Sequence, residues 1–98
     1  MRVPLQFHPA VRGETDSAYS WYEQQRAGLG TEFLDAVELV LNEITANPAR
    51  YGFAVDDIRE GTLPRFPYAI YYRVKSNHIR LLAVYHTSRD PSGWQSRN

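Results

Sequence analysis

Two amphipathic segments joined by a short glycine-containing linker constrain the fold of this 98-residue chain more than any other feature. In the first segment, apolar residues recur at helical spacing from Val11 to Tyr22. In the second, they recur from Phe33 to Ile44 with polar residues on the opposite side, and Asn47-Pro48 ends the pattern. Because the connection is only a few residues long, the sequence predicts two helices packed as an antiparallel hairpin.

The ends of these helices are predicted from proline, glycine and threonine. Pro9 is suited to the start of the first helix. Gly28 and Gly30 are predicted to close it, since glycine readily adopts the left-handed conformation common at helix C-termini. Thr31 is predicted to cap the second helix, with Glu32 placed favourably near its positive end.

Alternating apolar and polar residues predict the strands. A short strand is expected at Val3–Phe7, where Pro4 restricts it to a sheet edge. Three further strands are expected in the segments "DIREGTL", "FPYAIYYRVK" and "HIRLLAVYH". The predicted fold is α+β, in the order β-α-α-β-β-β, with the helix hairpin on one face of a small, largely antiparallel sheet. The other face is expected to be open and to carry basic and aromatic side chains.

Composition removes several classes of protein. Cysteine is absent, so disulfides, thiol catalysis and thiolate metal sites are excluded, and the three histidines are scattered. No segment approaches the roughly 20 apolar residues of a membrane span, and the N-terminus lacks the apolar core of a signal peptide. We therefore expect a single domain over residues 1–98, located in the cytoplasm, with no cofactor, no metal and no membrane contact.

The net charge of zero conceals an asymmetry between the two halves of the chain. Residues 1–57 carry four arginines and nine carboxylates, a net charge of −5, whereas residues 58–98 carry seven cations and two carboxylates, a net charge of +5. The second half is therefore a candidate surface for an acidic protein segment or a nucleic acid. The alternative is that a polar strand face simply requires charged residues.

Four segments, in order, resemble the RelE/ParE superfamily of bacterial toxins, especially the ParE-like branch called plasmid stabilisation. They read "WYEQQRAGLGTEFLDAV", "NPARY", "IREGTLPRFPYAIYYRV" and "AVYHTSRDPSGW", and they cover nearly the whole chain. The resemblance implies the toxin of a type II toxin-antitoxin module, held inactive by a cognate antitoxin. It also implies one of two activities, since RelE-like members cut mRNA on the ribosome and characterised ParE members poison DNA gyrase.

The chemistry of RNA cleavage favours the gyrase branch. Attack by a 2′-hydroxyl needs a base, an acid and a cation that stabilises the charge on phosphorus. Where this chain has "PYAIYY", RelE-like nucleases resemble "GYRLVY", and the arginine of that motif falls on Ala69. If the chain were nevertheless a nuclease, the resemblance implies Arg59, His86 and Arg89 as its catalytic residues.

The segment "AVYHTSRDP" therefore has two interpretations. In one, His86 is a general acid and Arg89 a phosphate clamp, with Tyr71 or Tyr85 as a stacking group. In the other, residues 89–91 form a turn that ends the strand, and Asp90 accepts backbone N–H bonds. A related choice concerns Trp94, whose indole needs either a partner surface or a contact with its own chain.

From these arguments we expect a toxin that binds a macromolecular target, with DNA gyrase as the candidate, and that a cognate antitoxin neutralises. The alternatives are a ribosome-dependent mRNA endonuclease and an inactive toxin relic that only binds antitoxin. The residues predicted to contact a partner or target are the cationic and aromatic side chains Arg59, Arg65, Tyr71, Arg73, His86, Arg89 and Trp94.

Overall fold

A computed structural model describes residues 3–98 of the chain. Its elements follow in the order β1 (Leu5–Phe7), α1 (Ala10–Gln25), α2 (Leu29–Ala46), β2 (Phe53–Val55), β3 (Ile58–Thr62), β4 (Tyr68–Val74), β5 (Ile79–His86) and α3 (Ser92–Gln95). The predicted α+β fold with a helix hairpin is confirmed, and two short elements, β2 and α3, were not predicted. Within the described residues, no helix is long and apolar enough to span a bilayer.

The five strands form one mixed sheet in the order β1-β5-β4-β3-β2. All neighbours pair antiparallel except β1, which runs parallel to β5 and pairs with Ile79, Arg80 and Leu81. Since β5 continues to His86, its second half extends past the end of β1. A sheet edge is therefore left beyond Leu81.

The boundary between the two long helices differs from the sequence prediction. Gly30 and Thr31 do not flank α2 but lie inside it, because α2 begins at Leu29, directly after Gly28, whose backbone is left-handed with φ of 90°. Two N–H groups at the start of α2 are satisfied from α1, where the two carboxylate oxygens of Glu23 accept the N–H groups of the N-cap Gly28 and of Gly30 at 2.9 Å each. A carboxylate from the neighbouring helix thus replaces the predicted threonine cap.

The apolar stripe of α2 packs against the sheet as predicted. Phe33, Val40 and Ile44 are at most 1% exposed and contact a core that includes Ile70 and Tyr72 of β4. We call this side of the sheet the helix face. Its core is continuous from α1 through α2 to β5, and it fixes where the strand ends lie relative to the helices.

The opposite side of the sheet, which we call the tail face, is not open as the sequence predicted. After β5 the chain turns back, and α3 places Trp94 on this face with 3% of its surface exposed. The buried cluster beneath it comprises Ile58, Ala69, Tyr71, Leu82, Ala83 and Trp94. The prediction was wrong because a four-residue helix carries no hydrophobic period that a sequence pattern could detect.

Candidate functional site

The seven residues predicted to contact a partner or target do not form one site. On β4, the residue opposite Arg59 is Tyr72, whereas the residue opposite His86 is Tyr68. Four residues along a strand correspond to roughly 13 Å, and Arg59 and His86 also lie on strands that flank β4 on opposite sides. The sheet therefore keeps apart two of the three residues that the nuclease alternative requires.

Arg59 is engaged with the loop that leads from α2 into β2. Its Nη1 donates a hydrogen bond to the carbonyl oxygen of Tyr51 at 2.6 Å, and its guanidinium lies 4.1 Å from the ring centroid of Phe53. The side chain is half-buried. Arg59 thus holds this loop and the short strand β2 against β3.

Arg65 and Arg73 are each paired with a carboxylate from elsewhere in the chain. The Nη2 of Arg65 lies 3.1 Å from Glu32 Oε1, and the Nε of Arg73 lies 2.8 Å from Asp57 Oδ1. Hydrogen bonds from Arg26 and then Arg65 lower the pKa of Glu32, and the hydrogen bond from Arg73 lowers the pKa of Asp57. Folding therefore pairs carboxylates of residues 1–57 with arginines of residues 58–98, which neutralises part of the positive charge of the second half.

Tyr71 and Trp94 are stacked on each other and buried. Their ring centroids are 3.8 Å apart with an interplanar angle of 15°, and each side chain is less than 5% exposed. The hydroxyl of Tyr71 donates to Glu60 Oε2 at 2.7 Å, and burial, followed by this hydrogen bond, raises the pKa of Tyr71. Of the two interpretations of Trp94, the structure shows the contact with its own chain.

His86 and Arg89, in contrast, line the same cavity. It has a volume of about 850 Å³ and lies between α1 and the C-terminal half of β5, and we call it the β5 groove. Trp21 and Tyr22 of α1 both line it, and Trp21 is 56% exposed although Tyr22 beside it is buried. The lining residues used below are Glu14, Trp21, Tyr68, Tyr85, His86 and Arg89.

The hydrogen bonds around His86 define what its imidazole can do. The N–H of Ser88 donates to Nδ1 at 3.0 Å, so Nε2 carries the proton of a neutral ring and is a donor. The ring of Tyr68 packs edge-on at 5.2 Å. The turn that follows also matches the structural interpretation, because Asp90 Oδ1 accepts the N–H of Ser92 at 3.0 Å.

Sequence reasoning did not identify the ion pair at the end of the β5 groove. Arg97 Nη1 lies 2.7 Å from Glu14 Oε2, and each side chain is only 16% exposed. Glu14 Oε1 also accepts the backbone N–H of Val84 at 3.1 Å. No local pattern connects two residues that lie at opposite ends of the sequence. In the described part of the chain, residues 3–98, no group of three His, Asp or Glu side chains is arranged to hold a metal ion.

Comparison with known proteins agrees with this architecture. The family model described as "ParE toxin of type II toxin-antitoxin system, parDE" matches residues 5–91. A solved structure described as "Chromosomal ParDE TA system from P. aeruginosa" is similar in fold, with a TM-score of 0.77 and 16% sequence identity, covering 89% of this chain and 98% of that chain. No curated protein gives a sequence match. Because the family model spans most of the chain, this protein belongs to the ParE toxin family of type II toxin-antitoxin systems.

Proposed function

We propose that this protein is a cytoplasmic toxin that binds a macromolecular target without cutting RNA, with DNA gyrase as the candidate, and that a cognate antitoxin neutralises it. The observation that carries the proposal is the setting of Ala69. It is fully buried on the tail face, between Thr62 and Tyr85 on the neighbouring strands. The RelE-like nucleases that this chain resembles have an arginine at this position. Here there is neither a cation nor space for one.

The separation of Arg59 from His86 supports the same conclusion. A cation that stabilises phosphorus must lie within hydrogen-bonding distance of the reacting group, and loss of such a contact typically costs ~10²–10³ in rate. Arg59 instead binds a backbone carbonyl at 2.6 Å on the far side of β4. His86 and Arg89 would therefore have to cleave RNA without the guanidinium of Arg59.

The second candidate function, a ribosome-dependent mRNA endonuclease, has one observation in its favour. His86 and Arg89 share the β5 groove, so an imidazole and a guanidinium line one cavity, as a proton-transferring group and a phosphate clamp would have to. This pairing makes the alternative specific enough to test. The same residues are available for target binding in the first proposal.

The decisive experiment is induction of the protein without antitoxin, with RNA ends mapped on translated messages and DNA supercoiling assayed with purified gyrase. We expect intact messages and inhibited gyrase. Cleavage in phase with codons that disappears in His86→Ala or Arg89→Ala would establish the endonuclease instead. Normal growth together with full antitoxin binding would identify an inactive relic.

The antitoxin is proposed to cover the helix hairpin rather than the tail face, since the tail face is already covered. Phe7 and Leu34, 49% and 40% exposed, line an apolar cavity of about 690 Å³ formed by β1, α1, α2 and β5. A segment that folds on binding can cover such a surface.

Co-purification with the product of the neighbouring gene tests this placement. Leu34→Asp should weaken the complex at least tenfold, whereas Leu39→Asp should leave it unchanged, because Leu39 is 51% exposed on the same helix but does not line the cavity. Equal affinity of the two variants would place the antitoxin elsewhere.

A further inference from the structure

The β5 groove contains a cation that has no partner in the protein. Within residues 3–98, Arg89 is the only arginine whose side chain makes no ion pair or hydrogen bond. Its guanidinium lies instead 5.7 Å from the ring centroid of Tyr85. Burial raises the pKa of Tyr68, and the charge of Arg89 opposes that rise. The free charge of Arg89 is therefore located among the tyrosines that line the groove.

The one carboxylate among the described residues that line the groove is already neutralised. Glu14 Oε2 lies 2.7 Å from Arg97 Nη1. Asp90, the residue after Arg89, accepts the N–H of Ser92 with its Oδ1. The groove is thus left with a net positive charge, which favours an anionic ligand.

His86 contributes an oriented hydrogen-bond donor to the same groove. The N–H of Ser88 donates to Nδ1 at 3.0 Å, so the neutral imidazole carries its proton on Nε2. The ring is half-buried and packs edge-on against Tyr68 at 5.2 Å. An imidazole N–H and a guanidinium fork together match the three terminal oxygens of a phosphate monoester. A carboxylate offers only two oxygens to the same donors.

Aromatic rings form a continuous row from α1 to this end of β5. Trp21 contacts Tyr22 at a centroid distance of 5.0 Å, and Tyr22 contacts Tyr68 at 6.1 Å. Tyr68 in turn contacts His86. Trp21, at the start of the row, is 56% exposed, so more than half of its surface is available to a ligand. An exposed aromatic ring of this kind is a platform on which any nucleobase can stack.

The backbone around the groove argues against a peptide as the ligand. The N–H of Val84 donates to Glu14, and the carbonyl of His86 accepts the N–H of Arg89 at 3.1 Å. An extended peptide is recognised largely through such main-chain groups, and these are already satisfied. The volume of about 850 Å³ lies within the ~300–1,000 Å³ typical of small-ligand sites. Recognition must therefore come from side chains.

We propose that the β5 groove binds a nucleoside 5′-monophosphate, with its base stacked on Trp21 and its phosphate held by Arg89 and the Nε2–H of His86. A free nucleotide and the 5′-phosphorylated end of a strand present this same chemistry. Binding makes and breaks no covalent bond. The site therefore depends neither on gyrase as the target nor on the endonuclease alternative.

Isothermal titration calorimetry with AMP tests the site. The parent protein should bind AMP at one site with a Kd below about 1 mM, and adenosine and inorganic phosphate should each bind about tenfold more weakly or worse. Arg89→Gln and Trp21→Leu should each weaken AMP binding by about tenfold or more. His86→Leu should also weaken it, and His86→Gln should restore it, because the glutamine amide replaces the Nε2–H donor.

Lys75→Gln is the matched control for loss of a cation. Lys75 is exposed and lies just beyond the end of β4 that is opposite to Tyr68. This variant should bind AMP like the parent, because only a cation in the groove contacts the phosphate.

The indole N–H signals in NMR spectra provide a second measurement that uses the parent protein. The chain has two tryptophans, and Trp94 is 3% exposed on the tail face. AMP should shift the signal of Trp21 and leave that of Trp94 unchanged. A single-stranded DNA hexanucleotide with a 5′-phosphate separates the two sources of the ligand. Tighter binding than that of AMP assigns the ligand to the end of a strand, and equal or weaker binding assigns it to a free nucleotide.

The proposal is overturned if AMP does not bind saturably, if Trp21→Leu binds it like the parent, or if the Trp21 signal does not move. Equal losses in Lys75→Gln and Arg89→Gln would also overturn it, since binding would then reflect overall charge. A capped tryptophan-aspartate dipeptide that binds as tightly as AMP would assign the groove to a protein ligand instead. None of these measurements involves antitoxin, gyrase or ribosomes, so their outcome is separate from that of the proposed function.

Discussion

The two faces of the sheet are covered by very different means. The helix face is covered by helices of 16 and 18 residues, and their apolar stripes join strand and loop side chains in a core of fifteen buried residues within the described range 3–98. The tail face is covered by a helix of four residues, and its core of six buried residues depends on the indole of Trp94. Since β4 and β5 are apolar on both sides, a sheet with only one covered face would expose Tyr71 and Leu82 to water.

The difference implies that the two faces should open with different cooperativity during unfolding. The helix face has continuous apolar packing that extends through α1, α2 and three strands, so its loss is expected to unfold the protein. The tail face is held by one stacked pair of rings and by arginine hydrogen bonds to C-terminal carbonyls. It is expected to open without global unfolding.

The largest effect is expected from a charge placed in the helix face. Val40→Asp should unfold the protein, because Val40 is 1% exposed and an unpaired buried carboxylate costs several kcal/mol, a large part of the ~5–15 kcal/mol that stabilises a domain. Leu39→Asp is the control, since its side chain is 51% exposed, and it should change stability by less than about 0.5 kcal/mol. Circular dichroism during thermal unfolding is the measurement. If Val40→Asp melts like the parent, α2 does not face the sheet as described.

A smaller effect is expected when the cover of the tail face is removed. Trp94→Ala should reduce the free energy of unfolding by about 3 kcal/mol, within the range for large aromatic truncations, yet leave the helical signal intact. Trp21→Ala is the matched control, because Trp21 is 56% exposed and should contribute less than about 1 kcal/mol. Urea unfolding followed by circular dichroism compares the two. Equal losses would mean that Trp94 does not anchor the tail face.

The third prediction concerns the close approach of the two long helices. A Cβ at Gly30 would lie 2.7 Å from the carbonyl oxygen of Tyr19, so Gly30→Ala should cost about 1–3 kcal/mol through overpacking. Gly13→Ala is the control, because within residues 3–98 no atom outside the neighbouring backbone of α1 lies within 4 Å of its Cβ position, and it should stabilise the protein by about 0.5–1 kcal/mol. Urea midpoints of the two variants give the comparison. A stabilised Gly30→Ala would show that the hairpin is looser than described.

The smallest effect at neutral pH is expected from removal of single hydroxyl groups on the two faces. Tyr71 donates to Glu60 at 2.7 Å on the tail face, and Tyr72 donates to the carbonyl of Pro48 at 2.8 Å on the helix face. Tyr71→Phe and Tyr72→Phe should each cost about 0.5–1.5 kcal/mol. Urea unfolding at pH 7 measures both losses.

The same two variants should behave differently in alkali. Burial raises the pKa of Tyr71 and of Tyr72 above the usual 10, with the larger shift at Tyr71. Because the folded state then retains a proton that the unfolded state loses, this contribution to stability is complete below about pH 10 and declines as the pH rises further. Stability should therefore fall less steeply above pH 10 in Tyr71→Phe than in Tyr72→Phe. Identical slopes would show that the hydrogen bond to Glu60 adds nothing to the raised pKa of Tyr71.

The candidate site was predictable only in part. The segment around His86 and Arg89 was identified from its composition, and both residues do line one cavity. Arg59 was grouped with them because it matches a family position, but strand order places it beyond β4. Glu14 was not identified at all, since its role depends on an arginine from the other end of the chain. Whether these residues contact a partner stays a prediction.

The sequence by itself determined the helix hairpin, the buried stripe from Phe33 to Ile44, and the strands with apolar residues on both faces. These features are local, because the buried positions of a helix or strand recur with the period of that element. Only the tertiary structure decided that Trp94 lies on Tyr71 and that Arg97 reaches Glu14 and the edge of β5. These contacts join residues far apart in the chain, and they exist because strand order brings the end of β5 and the C-terminal turn beside α1. Local periodicity carries no information on that order, so no pattern within one element could have revealed them.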